Sequence, residues 1–204
     1  HKLLTGRYDE FDTLRKFGGL SGFLRPKESE HDAFVSGHSS TSISSAFGIA
    51  QSNTLSCNEN YTVAVIGDGA MTGGLAFEGL NNAGKTKSRL IVVLNDNKMS
   101  ISKNVGALSR HLAVLRSHPS YFNLKTKVEK ILGAVPIVGR PITEIIRRLK
   151  KGIKNLFYNS TIFEDMGFYY IGPVDGHDIS TLEDCFELAK LLKRPALIHI
   201  CTVK

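Results

Sequence analysis

The sequence predicts a doubly wound α/β fold around a parallel sheet, and two observations support this. Short β-branched segments at residues 61–66 and 89–94 end in Gly/Asp and Asn/Asp, as buried parallel strands do. Between them, residues 74–83 place apolar side chains at helical spacing, which completes a βαβ unit. Ligands of such folds bind beyond the carboxyl ends of the strands, so we expect the functional site there.

The remaining elements continue the alternation of helix and strand. A small-residue helix is predicted over residues 39–51, and a strand over residues 168–171. A helix over residues 181–192, opened by a capping box of Ser180 and Glu183, should lead into a last strand from Ala196. This order favours one domain with its helices on both faces of the sheet.

Composition is that of an ordinary globular domain, with 204 residues, 42% hydrophobic and 22% charged. Cys57, Cys185 and Cys201 are odd in number and form no CxxC pair, so neither a disulfide framework nor a zinc site is predicted. The sequence contains no apolar run of membrane-spanning length and no signal-peptide pattern, which predicts a cytoplasmic protein. Because the chain starts at His1 and stops just after a predicted strand, we expect it to be truncated at both ends.

The net charge of +7 is concentrated in one segment. Residues 125–154 carry nine Lys/Arg and two acidic residues, and the rest of the chain is balanced. This segment includes an amphipathic pattern at residues 142–157 and belongs to a variable, basic, helical insertion predicted over about residues 115–159. Without interleaved aromatic residues or a nucleic-acid motif, a solvated helical face is favoured over nucleic-acid binding.

Two polar triplets at the ends of the first two strands carry the clearest chemical signal. Gly67-Asp68-Gly69 follows one strand and Asn95-Asp96-Asn97 ends the next, so one βαβ unit separates them. Adjacent parallel strands lie about 4.8 Å apart, and side chains at their carboxyl ends can therefore share an ion. Magnesium prefers hard oxygen ligands, which Asp68, Asn97 and the backbone carbonyl of Met99 are predicted to supply.

The glycines of the first triplet suit an anionic ligand. Gly67 and Gly69 allow a sharp turn and a close approach of the backbone to phosphate, and the helix beginning near Gly73 directs its free N–H groups toward the anion. The alternative is that the triplet is only a strand-to-helix turn. Its pairing with a second polar triplet across one crossover favours the ligand site.

Five motifs together resemble a known family. VIGDGAMTGG, LNDNKMSISKNVGAL, GHSSTSIS, YIGPVDGHD and HKLLTGR resemble the 1-deoxyxylulose-5-phosphate synthase family of the transketolase superfamily, whose members use thiamine diphosphate and Mg²⁺. The similarity extends across the chain except for the variable basic stretch. It implies that Asp68 and Asn97 match magnesium ligands, and that Gly69, Ala70 and Asn97 match residues that contact the cofactor diphosphate.

The resemblance also implies a thiamine side of the site. Gly37, His38 and Ser39 match a segment that lies along the thiamine, and His1 matches a histidine near its reactive side. His38 and His1 are therefore the candidate catalytic residues, because an imidazole can hold or transfer a proton near neutral pH. For His38 the alternative is a capping or core histidine.

Other histidines have simpler explanations. His177 is expected to lie in a turn, hydrogen-bonded to a neighbouring acid. Arg110 and His111 are expected either to face substrate phosphate or simply to be exposed. No His, Cys or Asp partner lies at metal-ligand spacing from His31, His111, His118 or His199.

The family reaction condenses pyruvate with glyceraldehyde 3-phosphate, releases carbon dioxide and forms 1-deoxy-D-xylulose 5-phosphate for isoprenoid and thiamine biosynthesis. The resemblance implies a homodimer, with the activating glutamate in a following domain. The 204 residues alone are therefore expected to be inactive. Two alternatives remain: the N-terminal subunit of a split transketolase, and a non-enzymatic domain that binds phosphate metabolites or nucleic acid.

Overall fold

The computed structural model describes residues 1–35, 37–97, 107–108, 111–112, 114 and 161–203. An N-terminal arm over residues 1–35 contains two short 3₁₀ helices, Lys2–Thr5 and Phe11–Thr13. The strands are β1 (Thr62–Gly67), β2 (Leu90–Asp96), β3 (Tyr169–Asp175) and β4 (Ala196–Cys201). The described helices are α1 (Ser42–Leu55), α2 (Asp68–Met71), α3 (Gly74–Ala83), α4 (Ile162–Asp165) and α5 (Ile179–Leu192).

The four strands form one parallel sheet in the order β1-β2-β4-β3, which confirms the predicted fold class. Strand β2 is central, and its five apolar residues are buried on both faces, as expected for a parallel strand between two helical layers. Its pairing with β1 places Gly67 opposite Asn95. Its pairing with β4 places Asp96 opposite Cys201.

Helices pack on both faces of this sheet, although the side chains of Val63 and Val65 on β1 are exposed. Helices α1, α3 and α4 pack on one face around Ile43, Leu80 and Phe163, and α5 packs on the other through Cys185 and Ala189. Contact between α1 and α3 is close at Gly79, where an added Cβ would lie 2.9 Å from Ser44 Oγ. Burial raises the pKa of the Cys185 thiol to about 11, so it behaves as an apolar core group.

Predicted and observed elements differ mainly at their ends. Helix α5 begins two residues earlier than expected, because Asp178 is its N-cap and accepts a hydrogen bond from the Thr181 amide at 3.2 Å. The capping box predicted at Ser180 and Glu183 is therefore wrong. The chain forms one instead at α4, where Thr161 and Glu164 exchange side-chain-to-backbone hydrogen bonds.

Within the described residues, no helix is long and apolar enough to cross a membrane. The basic insertion predicted over about residues 115–159, including the amphipathic pattern at 142–157, lies outside the described residues.

Candidate ligand site at the carboxyl edge of the sheet

The structure brings the two predicted triplets to one edge of the sheet. Asp68 directly follows β1 and is the first residue of α2, while Asn97 directly follows β2. Because Gly67 pairs with Asn95, Asp68 and Asn97 lie one and two residues beyond a matched pair on neighbouring strands. Asp68 is only 5% exposed, and Asn97 is partly exposed. A carboxylate and an amide oxygen at adjacent strand ends suit a hard divalent cation.

Met99, the third predicted metal ligand, lies outside the described residues. Among the described residues, no cluster of three or more His, Cys, Asp or Glu side chains is placed to hold a metal ion. The donor set at this edge has a different composition. The candidate ligands there are one acidic side chain and one amide, and a magnesium site built on them would leave coordination positions for phosphate oxygens and water.

Asp96, the middle residue of the second triplet, is directed into the core. It is 1% exposed, and its Oδ2 lies 3.2 Å from Nε2 of His199 on β4. On the other ring nitrogen, His199 Nδ1 lies 2.7 Å from the hydroxyl of Tyr170 on β3. Asp96 and Asn97 therefore have different environments although they are adjacent in sequence.

Two further hydrogen bonds, both from Thr202, connect the ends of β2 and β4. The Thr202 amide donates to the Asp96 carbonyl at 3.0 Å, and the Thr202 hydroxyl donates to Asn95 Oδ1 at 2.8 Å. One bond is to the last residue of β2 and the other is to the residue before it, and both come from the residue after β4. They fix the backbone and one side chain immediately before Asn97.

The predicted thiamine-side segment is joined through Ser40 to Ala70, the residue after the first triplet. The Ser40 hydroxyl donates to the Ala70 carbonyl at 2.7 Å, so residues 37–39 approach the glycine-rich turn. Ser40 has φ +68°, a left-handed conformation that turns the chain into α1. Gly73 completes this contact, since an added Cβ there would lie 2.2 Å from Ser40 Oγ.

His38 is exposed, and its carbonyl accepts a hydrogen bond from the Thr41 hydroxyl at 3.0 Å. Exposure is incompatible with the core-histidine alternative. The N-cap of α1 is Thr41, so His38 is not the capping residue. Gly37 and Ser39 are exposed beside it, and the imidazole is accessible to a ligand.

His1 is exposed, but it contacts a buried charge cluster in the N-terminal arm. Its Nε2 lies 3.0 Å from Asp32 Oδ1, and Arg7 grips both oxygens of Asp32 at 2.8 Å. Hydrogen bonds from Arg7 lower the pKa of Asp32 to about 2, so the carboxylate stays ionised. Glu28 accepts from Arg7 at 3.0 Å and also pairs with Lys2. The cluster fixes the arm and orients His1, but no described contact joins it to Asp68 or Asn97.

Of the other histidines, His177 and His111 have structural partners, whereas His118 lies outside the described residues. His177 lies in the predicted turn and its amide donates to Asp175 at 2.9 Å, but its ring accepts from the Val203 amide at 2.9 Å rather than bonding an acid. His111 packs edge-on against Phe163 and accepts from the amide that opens α4. Burial lowers the pKa of its imidazole. Arg110 lies outside the described residues.

Sequence reasoning did not find the partners of Asp96 and His1. The signals for Asp96 were a histidine within the apolar run Ala196–Cys201 and an aspartate on another buried strand, since each such group requires a polar partner. Asp32 carried no comparable local signal. Its partner Arg7 is distant in sequence, and its partner Arg25 contributes only a backbone amide.

A parallel sheet with a glycine-rich turn and polar side chains at its carboxyl edge places the chain in the doubly wound α/β class, whose members bind ligands at that edge. The family can be stated more narrowly. The family model described as 1-deoxy-D-xylulose-5-phosphate synthase matches residues 1–202, and the chain belongs to that family.

Individual relatives agree with this assignment. The chain is 53% identical over 204 residues to 1-deoxy-D-xylulose-5-phosphate synthase of Pelotomaculum thermopropionicum and 50% identical to that of Symbiobacterium thermophilum, covering 100% of the chain and 32% of each relative. The enzyme of Clostridium kluyveri is 50% identical, with 33% of its length covered. The chain therefore spans about a third of the length of these curated relatives.

Proposed function

We propose that this chain supplies the diphosphate- and magnesium-binding half of a thiamine diphosphate-dependent transferase. The reaction is the condensation of pyruvate with glyceraldehyde 3-phosphate to 1-deoxy-D-xylulose 5-phosphate, with release of carbon dioxide. The observation that supports it is the placement of Asp68 and Asn97 directly after the ends of two paired strands. The names of the relatives support the choice of reaction.

The donors at this edge fit the metal and the diphosphate. Asp68 would supply the charged ligand and Asn97 an amide oxygen, with the Met99 carbonyl as the proposed third protein ligand. Gly69 and Ala70 would contact the diphosphate through the backbone, together with Asn97. Gly67 has open space around the position of a Cβ, the nearest atom being 4.0 Å away, so the turn is open on that side.

The thiamine would lie along Gly37, His38 and Ser39. The hydrogen bond from Ser40 to the Ala70 carbonyl supports this, because it ties that segment to the diphosphate turn. When bound, thiamine diphosphate supplies the electron sink for the reaction. The exposed His38 imidazole would hold or transfer a proton beside it.

For His1, the Asp32 carboxylate suggests a specific arrangement. Donation from Nε2–H to Asp32 leaves Nδ1 as the free acceptor of a neutral ring. We propose that His1 presents this nitrogen to the cofactor or substrate. The intact enzyme is proposed to be a cytoplasmic homodimer on the resemblance alone.

Calorimetric titration with thiamine diphosphate, with and without Mg²⁺, tests the proposal. We expect binding that requires Mg²⁺, and we expect Asp68→Ala and Asn97→Ala to weaken it about tenfold or more, since even outer-shell partners of metal sites are worth that much. Asp184→Ala on the exposed surface of α5 is the control. Equal affinity with and without Mg²⁺, or equal affinity of Asp68→Ala and Asp184→Ala, would contradict the proposed function.

A further inference from the structure

A chain of buried polar side chains crosses three strands behind the candidate site. It runs from the Tyr170 hydroxyl on β3 to His199 on β4 and on to the Asp96 carboxylate on β2. Tyr170 and Asp96 are each 1% exposed, and His199 is fully buried. Buried polar groups are costly unless hydrogen-bonded, so their placement at this point requires a reason.

One arrangement of hydrogens satisfies all three groups. An imidazole with its proton on Nε2 donates to the carboxylate of Asp96 and accepts at Nδ1 from the Tyr170 hydroxyl. Each bond therefore selects the other, because protonation of one ring nitrogen makes the other an acceptor. A carboxylate only accepts hydrogen bonds, so Asp96 fixes the proton on Nε2, and the Tyr170 hydroxyl is the donor that satisfies Nδ1.

This series of hydrogen-bonded side chains ends at Asp96, the residue that precedes Asn97. On the backbone side, the Asp96 carbonyl is held by the Thr202 amide at 3.0 Å, and Asn95 is held by the Thr202 hydroxyl at 2.8 Å. Asp96 is thus held through its carbonyl by the residue after β4 and through its side chain by His199. Rotation of the strand end about its own axis, which would redirect Asn97, has to break one of these bonds.

We propose that the Tyr170–His199–Asp96 chain is a positioning element that sets the orientation of Asn97 toward the metal and diphosphate. This rests on the proposed function for the identity of the ligand. None of the three side chains is proposed to contact the ligand. Outer hydrogen-bond partners that orient a metal ligand commonly change metal affinity about 10- to 100-fold when they are lost.

Tyr170→Phe is the most selective perturbation. The ring of Tyr170 stacks on Phe163 with centroids 5.9 Å apart and planes 6° from parallel, and phenylalanine retains that packing. The substitution removes one hydroxyl and leaves His199 Nδ1 without its donor. The buried ring then has an unsatisfied Nδ1 and loses one of the two bonds that hold its orientation, which weakens its hold on Asp96.

Phe163→Leu is the matched control. It disturbs the same stack from the other side and lowers stability without removing a polar group of the chain. We expect Tyr170→Phe to raise the Mg²⁺ concentration needed for half-maximal thiamine diphosphate binding about tenfold. Phe163→Leu should change it less than about twofold. Equal effects of the two variants would overturn the positioning role and leave only a general loss of stability.

A ligand-free measurement separates this inference from the proposed function. In ¹H–¹⁵N spectra without ligand, Tyr170→Phe should shift the side-chain and backbone amide signals of Asn97 and the ¹⁵N signal of His199 Nδ1, which loses its hydrogen bond, and Phe163→Leu should not. If wild type fails to bind thiamine diphosphate with Mg²⁺, the proposed function is wrong, and these spectra alone decide the positioning role. Unchanged Asn97 signals in Tyr170→Phe would overturn it.

Discussion

Gly73→Ala tests the contact that joins the predicted thiamine-side segment to the diphosphate turn. The φ of Gly73 is −73°, which alanine adopts readily, so the substitution acts through space alone. An added Cβ would lie 2.2 Å from Ser40 Oγ and 2.7 Å from Ser40 Cβ. Rotation of the hydroxyl relieves only the first clash, and it breaks the bond to the Ala70 carbonyl.

The expected cost follows from these terms. Loss of the Ser40 hydrogen bond costs about 1 kcal/mol, and a residual overpacking of a fixed site costs about 1–3 kcal/mol. Replacement of glycine by alanine at a permitted φ stabilises the protein by about 0.4–1 kcal/mol, because it lowers the conformational entropy of the unfolded chain. We therefore expect Gly73→Ala to lower the free energy of unfolding by about 1–3 kcal/mol and to weaken thiamine diphosphate binding.

Urea denaturation of four variants measures this directly. Gly74→Ala is the adjacent control, because its Cβ would meet nothing within 4 Å, and it should be neutral or slightly stabilising. Ser40→Gly removes both clashing atoms and suits the left-handed φ. Gly73→Ala should therefore cost little in the Ser40→Gly background. A cost of the same size in both backgrounds would refute the contact.

Two further predictions concern stability. Thr161→Ala removes the capping box of α4 and should lower the free energy of unfolding by about 1 kcal/mol in urea denaturation, whereas Thr161→Ser should retain it; equal losses would refute the capping role. The pKa of Asp32 is lowered from its ordinary 3.8 to about 2. Its ionised form therefore stabilises the fold fully above pH 3.8, and this stabilisation is lost as the pH falls toward 2. Acid titration of stability should show a smaller loss across that window for Asp32→Asn than for wild type, and an unchanged pH dependence would contradict the Arg7 pairing.

The order of elements was predictable from sequence because each strand carries its own local signal. The β2 run and the helix now labelled α3 have clear periodicities, and α3 was placed at its observed bounds. The start of α5 was misplaced since Asp178 and Ser180 are both good caps by residue type. In the structure Asp178 has the extended backbone of an N-cap and accepts from the Thr181 amide.

The candidate site was predictable to the extent that strand adjacency determines it. Asp68 and Asn97 follow consecutive strands, so a parallel sheet brings them together without long-range information. The hydrogen bonds that link Tyr170, His199 and Asp96 were not predictable. They depend on the placement of β4 between β2 and β3, and no local sequence pattern gives the order of strands in the sheet. The resemblance supplied the roles of His1 and His38, and these stay predictions.

The central claim is that a divalent cation binds with thiamine diphosphate between Asp68 and Asn97. Manganese substitutes for magnesium at oxygen sites and broadens nearby NMR signals, so it locates the ion directly. With thiamine diphosphate and substoichiometric Mn²⁺, amide signals of residues 67–70 and of Asn97 should broaden first, while those of α5 from Glu183 onward stay sharp. Broadening centred elsewhere, or spread evenly over acidic surface residues, would contradict the account.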